Sequence, residues 1–172
     1  MGKGKEILDQ SKISEEGDYF LTSDVLLCVG DAVGALITME DGSYLMQLRD
    51  QKEDIFYPGH WGLFGGAVDE GEDPLNALYR ELNEELNLEA HSARLFTRLD
   101  IDLKPVGLSK IYRIFYEMTL TRADLSSLVL REGTMMKTFD RKEALSLDRV
   151  VPYDAFALWL HIERNRLRHK VG

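Results

Sequence analysis

Apolar and polar positions fall into blocks along this chain, and the period of each block predicts an element. Asp18 to Leu27 (DYFLTSDVLL) has strand composition and reads as an edge strand. Ala32 to Met39 (AVGALITM) is a mostly apolar run. The Asp41-Gly42 turn pair and Tyr44 to Leu48 follow it, a hairpin whose second strand ends at Arg49. A polar loop containing Pro58-Gly59 leads into a short strand, Trp61 to Phe64. The period then changes. Leu75, Leu78, Leu82 and Leu86 recur at helical spacing behind Asp73-Pro74, an N-cap residue followed by proline at the first helical position. Ala93 to Leu103 and Lys110 to Leu120 read as two long strands. Leu125 to Leu130 is an apolar run with no clear period, and Arg131-Glu132-Gly133 breaks it and opens a loop reaching Lys137 to Asp140. Arg141 to Ser146 predicts a short helix. Tyr153 to Arg168 predicts a longer one, with Phe156, Ala157, Leu160 and Arg164 at helical spacing. The pattern is that of an α+β domain.

Composition narrows the classes. The 172 residues are 44% hydrophobic, enough for one domain with a real core, and four prolines leave no long linker. The expected division is an arm or edge extension over residues 1–23 and a single domain over 24–172. A formal charge of −9 disfavours a nucleic-acid backbone or an anionic membrane as partner. The N-terminus lacks the apolar core of a signal peptide, and no stretch approaches a membrane span. The lone Cys28 cannot form an internal disulfide. A cytoplasmic location is therefore expected. The four histidines are scattered, so no zinc site is indicated.

The helix at residues 74–86 carries the candidate chemistry. On a wheel centred on Glu81, Glu85 lies about 40° to one side and Glu84 about 60° to the other. Three carboxylates thus share one narrow face beside the leucine stripe. Like charges at these spacings repel, and a cation between them reverses the sign. Oxygen ligands suit a hard ion such as Mg²⁺ or Mn²⁺. The plainer alternative is a solvated acidic surface helix. The spacing says more: from Gly66 come five residues, Glu72, seven residues, Arg80-Glu81-Leu82-Asn83-Glu84-Glu85, and then Leu88. A chance match in a chain of this size is on the order of one in 10⁵.

This stretch resembles the Nudix box, the signature of the MutT-type Nudix hydrolases. Asn87 stands where that family usually has glycine, and Phe64 where it usually has proline. The resemblance implies the Nudix fold, a mixed β-sheet sandwiched between α-helices. It also implies Mg²⁺- or Mn²⁺-dependent hydrolysis of a pyrophosphate bond in a nucleoside diphosphate linked to another moiety. By residue-for-residue carry-over, Glu81, Glu84, Glu85 and the Gly65 carbonyl hold metal, and Arg80 braces Glu72 and the helix acids. A loop glutamate commonly completes such a site. Glu132 is the nearest counterpart here, as general base or metal ligand, with Glu81 or Asp140 as the next candidates for base. Arg49 is a candidate phosphate contact or else a surface arginine paired with a neighbouring acid. Trp61 and Tyr57 could stack on a base or sugar or pack beneath the loop. The expected partner is a small nucleotide, with a homodimer left open. A non-catalytic nucleotide-binding module is the alternative, but every acid of the box is present.

Overall fold

The computed structural model describes residues 6–7, 28–102, 104 and 110–167. Its elements run β1 (Glu6–Ile7), β2 (Cys28–Val29), β3 (Ala32–Met39), β4 (Tyr44–Leu48), β5 (Trp61–Gly62), α1 (Pro74–Leu86), β6 (Arg94–Asp102), β7 (Lys110–Leu120), α2 (Arg122–Ser127), β8 (Met135–Phe139), α3 (Arg141–Ser146) and α4 (Pro152–Leu167). β1 and β2 pair antiparallel as a two-stranded ribbon. The expected strand at Asp18 to Leu27, and most of the expected arm, lie outside the described residues.

The other six strands form one mixed sheet in the order β5-β4-β3-β7-β6, with β8 on β4. β3 and β7 run parallel at its centre, in register from Ala32 opposite Arg113 to Met39 opposite Leu120. Alternation along these strands divides the core. Val33, Ala35, Ile37 and Leu45 face α1 and its fully buried Leu78, Leu82 and Leu86. Leu36, Tyr44, Met46 and Phe115 face the opposite side, where α3 and α4 supply Ala144, Ala157 and Leu158. A sheet with an apolar layer on each face needs a helix on each face, which is the observed sandwich.

A hydrogen-bonded staple ties α4 to the sheet. Tyr44 meets His161 Nδ1 at 2.7 Å, and His161 Nε2 meets Glu117 at 2.8 Å. Arg94 and Arg164 also bond to Glu117.

Two expectations are corrected here. The segment before Asp140 is no long loop: Met135–Phe139 is a strand paired with β4, leaving only a short break after Arg131. MMKTF lies on the sheet's rim with alternate residues exposed, so no apolar run marks it. The buried face of α4 is Asp154, Ala157, Leu158 and His161, while Phe156 is 48% exposed beside Trp159. Two polar residues hold that face, so apolar spacing picked the neighbouring one.

The feature that shapes the site is a wedge. β3 and β4 pair only at Ile37–Leu45 and Thr38–Tyr44 and then part. The chain from Trp61 to Ala67 fills the gap, pairing with β4 at Leu48–Trp61 and Gln47–Gly62, and bridging β3 at Ala35–Phe64 and Ala32–Ala67. Both edges of this segment are hydrogen-bonded, and it delivers Gly65 and Gly66 to the flank of α1.

Candidate active site

The box helix is well terminated. Asp73 accepts from the N–H groups of Leu75 and Asn76, and Pro74 occupies the first turn, where no donor is missed. At the other end Asn87 takes the left-handed conformation (φ 54°, ψ 35°), and Leu88 N–H reaches back to the Leu82 carbonyl at 3.2 Å. Asn tolerates this conformation better than any residue but glycine.

The two glycines serve close approach. Gly65 has φ +130°, and a Cβ there would lie 2.4 Å from the Val33 carbonyl oxygen. At Gly66 a Cβ would lie 2.4 Å from Glu81 Oε2, so only glycine lets this carboxylate rest on the loop.

The three helix acids differ sharply in setting. Glu84 is 58% exposed, Glu81 is half-buried, and Glu85 is 5% exposed. Glu85 accepts from Gly65 N–H at 2.8 Å and from Gln47 Nε2 at 3.0 Å, both neutral donors. Burial raises its pKa to about 8, and the charges of Glu132 and Glu81 push the same way. Burial also raises Glu81, against the pull of Arg80.

Arg80 holds the assembly with its planar fork. Nε and Nη2 take the two oxygens of Glu72 at 3.0 and 2.9 Å, Nη2 also reaches the Ala67 carbonyl, and Nη1 meets Glu81 at 2.7 Å and Glu84 at 3.3 Å. Glu72 is held below its usual range by this guanidinium.

Glu132 sits on the break that the C-terminus of α1 anchors. The Val129 and Arg131 N–H groups donate to the Leu86 and Glu85 carbonyls, which the helix leaves without internal partners. The Arg131 guanidinium bonds to the Asn87 side chain at 2.6 Å. Gly133 follows with φ +86°, and Thr134 N–H donates to Leu48. Glu132 is exposed, with its charge felt at Glu81 and Glu85. Asp140 lies elsewhere, as the N-cap of α3.

The donor chemistry fits a hard cation: oxygen only, net negative, with one buried carboxylate that no cation among the described residues neutralises. Among the described residues, however, no three His, Cys, Asp or Glu side chains form a metal-holding group. Arg80 engages Glu81 and Glu84, while Glu85 bonds to the loop and the sheet.

Arg49 and Trp61 lie on the other side of the wedge. Arg49 Nε donates to the Phe56 carbonyl, and the aliphatic stem packs by Gly62. Trp61 meets Phe139 edge-on at 4.7 Å, packing on the α4-side core. Tyr57, with φ 53°, packs against His60 and Tyr153.

Residues the sequence reading did not single out gather here. Asp154 is buried, accepts from Leu63 N–H at 3.0 Å, and is pushed up to about 6 by burial, against the charges of Arg113 and Arg49. The Arg113 guanidinium lies 3.6 Å over the Tyr153 ring, and its Nε is buried without a hydrogen-bond partner among the described residues. The Leu63 peptide joins the two sides: its N–H serves Asp154 and its carbonyl accepts from Gln47, the residue that also holds Glu85. A polar residue inside each apolar run (Gln47 in YLMQL, Arg113 in KIYRIFY) was the available signal.

Comparison with known proteins agrees with this architecture. A MutT protein from Methanosarcina mazei Go1 superposes with a TM-score of 0.64 at 19% identity, covering 80% of this chain and 94% of that one. The Escherichia coli ORF135 protein superposes with a TM-score of 0.62 at 23% identity, covering 83% and 94%. Nucleoside triphosphatase NudI of Escherichia coli O139:H28 is 42% identical over 50 residues, which is 29% of this chain and 35% of that protein. The match thus spans about a third of the length of such curated relatives. The NUDIX domain model matches residues 29–167, more than three-quarters of the chain. The chain belongs to the NUDIX domain family.

Proposed function

We propose that this protein is a divalent-cation-dependent pyrophosphohydrolase. Its substrate is a nucleoside diphosphate linked to another group: a nucleoside triphosphate, a nucleotide sugar or an ADP-ribose type molecule. One observation carries the reading. Glu85 is a buried carboxylate with neutral donors only, set beside Glu81 and within reach of the charge of Glu132. Such an arrangement is costly for folding alone and suits a bound cation.

Glu81, Glu84, Glu85 and the Gly65 carbonyl would hold Mg²⁺ or Mn²⁺. The ion supplies charge neutralisation at the pyrophosphate and a lowered pKa for the attacking water. Glu132, on an exposed break anchored to the helix end, is the group to accept that water's proton. Arg80 keeps Glu72 and the helix acids in place, and Arg49, across the wedge, would serve as a contact for the substrate's phosphates. The similarity to a nucleoside triphosphatase favours triphosphates among the candidates.

A panel of nucleotides and nucleotide sugars with Mg²⁺, scored by identifying the phosphorylated products, tests the substrate. Excess EDTA should abolish hydrolysis, and added Mg²⁺ or Mn²⁺ should restore it. Full turnover in EDTA refutes the metal reading, while specific binding without turnover of any substrate favours a nucleotide-binding module.

A further inference from the structure

We propose that Gln47 is a positioning residue for the acidic site, fixing the Glu85 carboxylate and backing the loop that carries Glu132. The inference rests on Glu85 being a metal ligand. Alternation along β4 puts Leu45 on the α1 face, and Gln47 follows two residues later on the same face. There it is 2% exposed. An amide in that position is worse than a leucine for the core unless its hydrogen bonds are made.

Gln47 Nε2 makes two such bonds. It donates to Glu85 Oε1 at 3.0 Å and to the Leu63 carbonyl at 3.3 Å. With Gly65 N–H on Oε2, both oxygens of Glu85 are held from the sheet side, so the rotamer of a long side chain is determined. The carbonyl end of Gln47 lies against the Glu132 loop with no room for a side chain between: a Cβ on Gly133 would be 2.8 Å from Gln47 Oε1. The backbone of Gln47 has little freedom to shift, because it pairs with Gly62 on one edge and Met136 on the other. One side chain therefore touches both parts of the site that α1 alone does not fix. Outer-shell partners of this kind orient ligands, and their loss typically weakens metal affinity by roughly 10- to 100-fold.

The test is direct Mn²⁺ binding without nucleotide, followed by the free-ion electron paramagnetic resonance signal, in wild type and in Gln47→Met, Gln47→Leu and Glu85→Gln. Met keeps the length and Leu the bulk, and neither can donate. The expected result is Mn²⁺ binding weakened by roughly 10- to 100-fold in both Gln47 variants, with melting in EDTA still cooperative, at a Tm lowered only by the two lost hydrogen bonds. Native-like binding in a folded Gln47 variant overturns the proposal while leaving the metal reading intact, provided Glu85→Gln binds weakly. Unchanged binding in Glu85→Gln, or no binding in wild type, overturns the metal reading itself. If both Gln47 variants lose the fold, the residue serves the core and the proposal fails; if only one does, the other decides.

Discussion

Glu85→Gln removes a charge from a carboxylate that is 5% exposed and meets only neutral donors, so its largest effect on stability should depend on pH. Glu85 has its pKa raised from 4.5 to about 8, with burial the main cause. A carboxyl raised in this way stabilises the fold fully below its unfolded pKa, and that contribution is lost as pH rises through the folded value. At about 1.36 kcal/mol per pH unit, the span from 4.5 to about 8 corresponds to roughly 5 kcal/mol of lost stability by pH 9. Gln does not titrate and escapes this loss. Its own NH₂ must face one of the donors, Gly65 N–H or Gln47 Nε2, which costs about 1–3 kcal/mol. The net expectation at pH 9 is a variant more stable by about 3 kcal/mol, or roughly 6–12 °C in Tm for a chain of this size. At pH 4.5 the variant should gain nothing. Thermal melts in EDTA across pH 4.5–9 measure this, while turnover with Mg²⁺ should be lost throughout. Parallel Tm profiles for the two proteins would refute the account of a buried, uncompensated carboxylate.

Other substitutions separate the fold from the site. Leu82→Ala opens space in a fully buried stripe and should cost roughly 2–5 kcal/mol in urea titrations, whereas an unchanged midpoint would contradict the packing of α1. Gly65→Ala places a methyl against the Val33 carbonyl at a φ that disfavours side chains, so it should lower Tm clearly. Gly66→Ala meets only the end of the Glu81 side chain, so Tm should hold while activity falls. The reverse order for these two glycines would show that the loop is misread. Glu132→Gln should lower kcat by roughly 10²- to 10⁴-fold with little change in KM if the residue is the base, and partial recovery in excess Mn²⁺ would assign it to the metal instead.

Local signals carried most of the fold. The hairpin at Asp41-Gly42, the aromatic run of β7, the N-cap of α1 and the span of α3 each depend on neighbours within a few residues, and all read correctly. β8 did not, because pairing with β4 rather than its own composition makes it a strand. The box residues were legible because one helix presents them. What the sequence hid was their inequality: nothing in Glu81, Glu84 and Glu85 as letters says which one the wedge buries. Gln47, Arg113 and Asp154 stand more than 40 residues apart: the Leu63 peptide joins Gln47 to Asp154, and the charge of Arg113 acts on Asp154 directly. Arg131 and Asn87 are likewise 44 residues apart.

The parallel pairing of β3 with β7 has a kinetic consequence. Partners in that ladder, such as Ala32 and Arg113, are separated by about 80 residues, so a large loop must close before any of its contacts is rewarded. The box helix can form early from its own caps. The burial that distinguishes Glu85, however, needs β4 beside the wedge and the wedge bridged to β3. Refolding followed at two probes should therefore show helical signal ahead of the capacity to bind Mn²⁺. The acidic helix would spend that interval as an ordinary solvated one, its carboxylates equivalent until the centre of the sheet has closed.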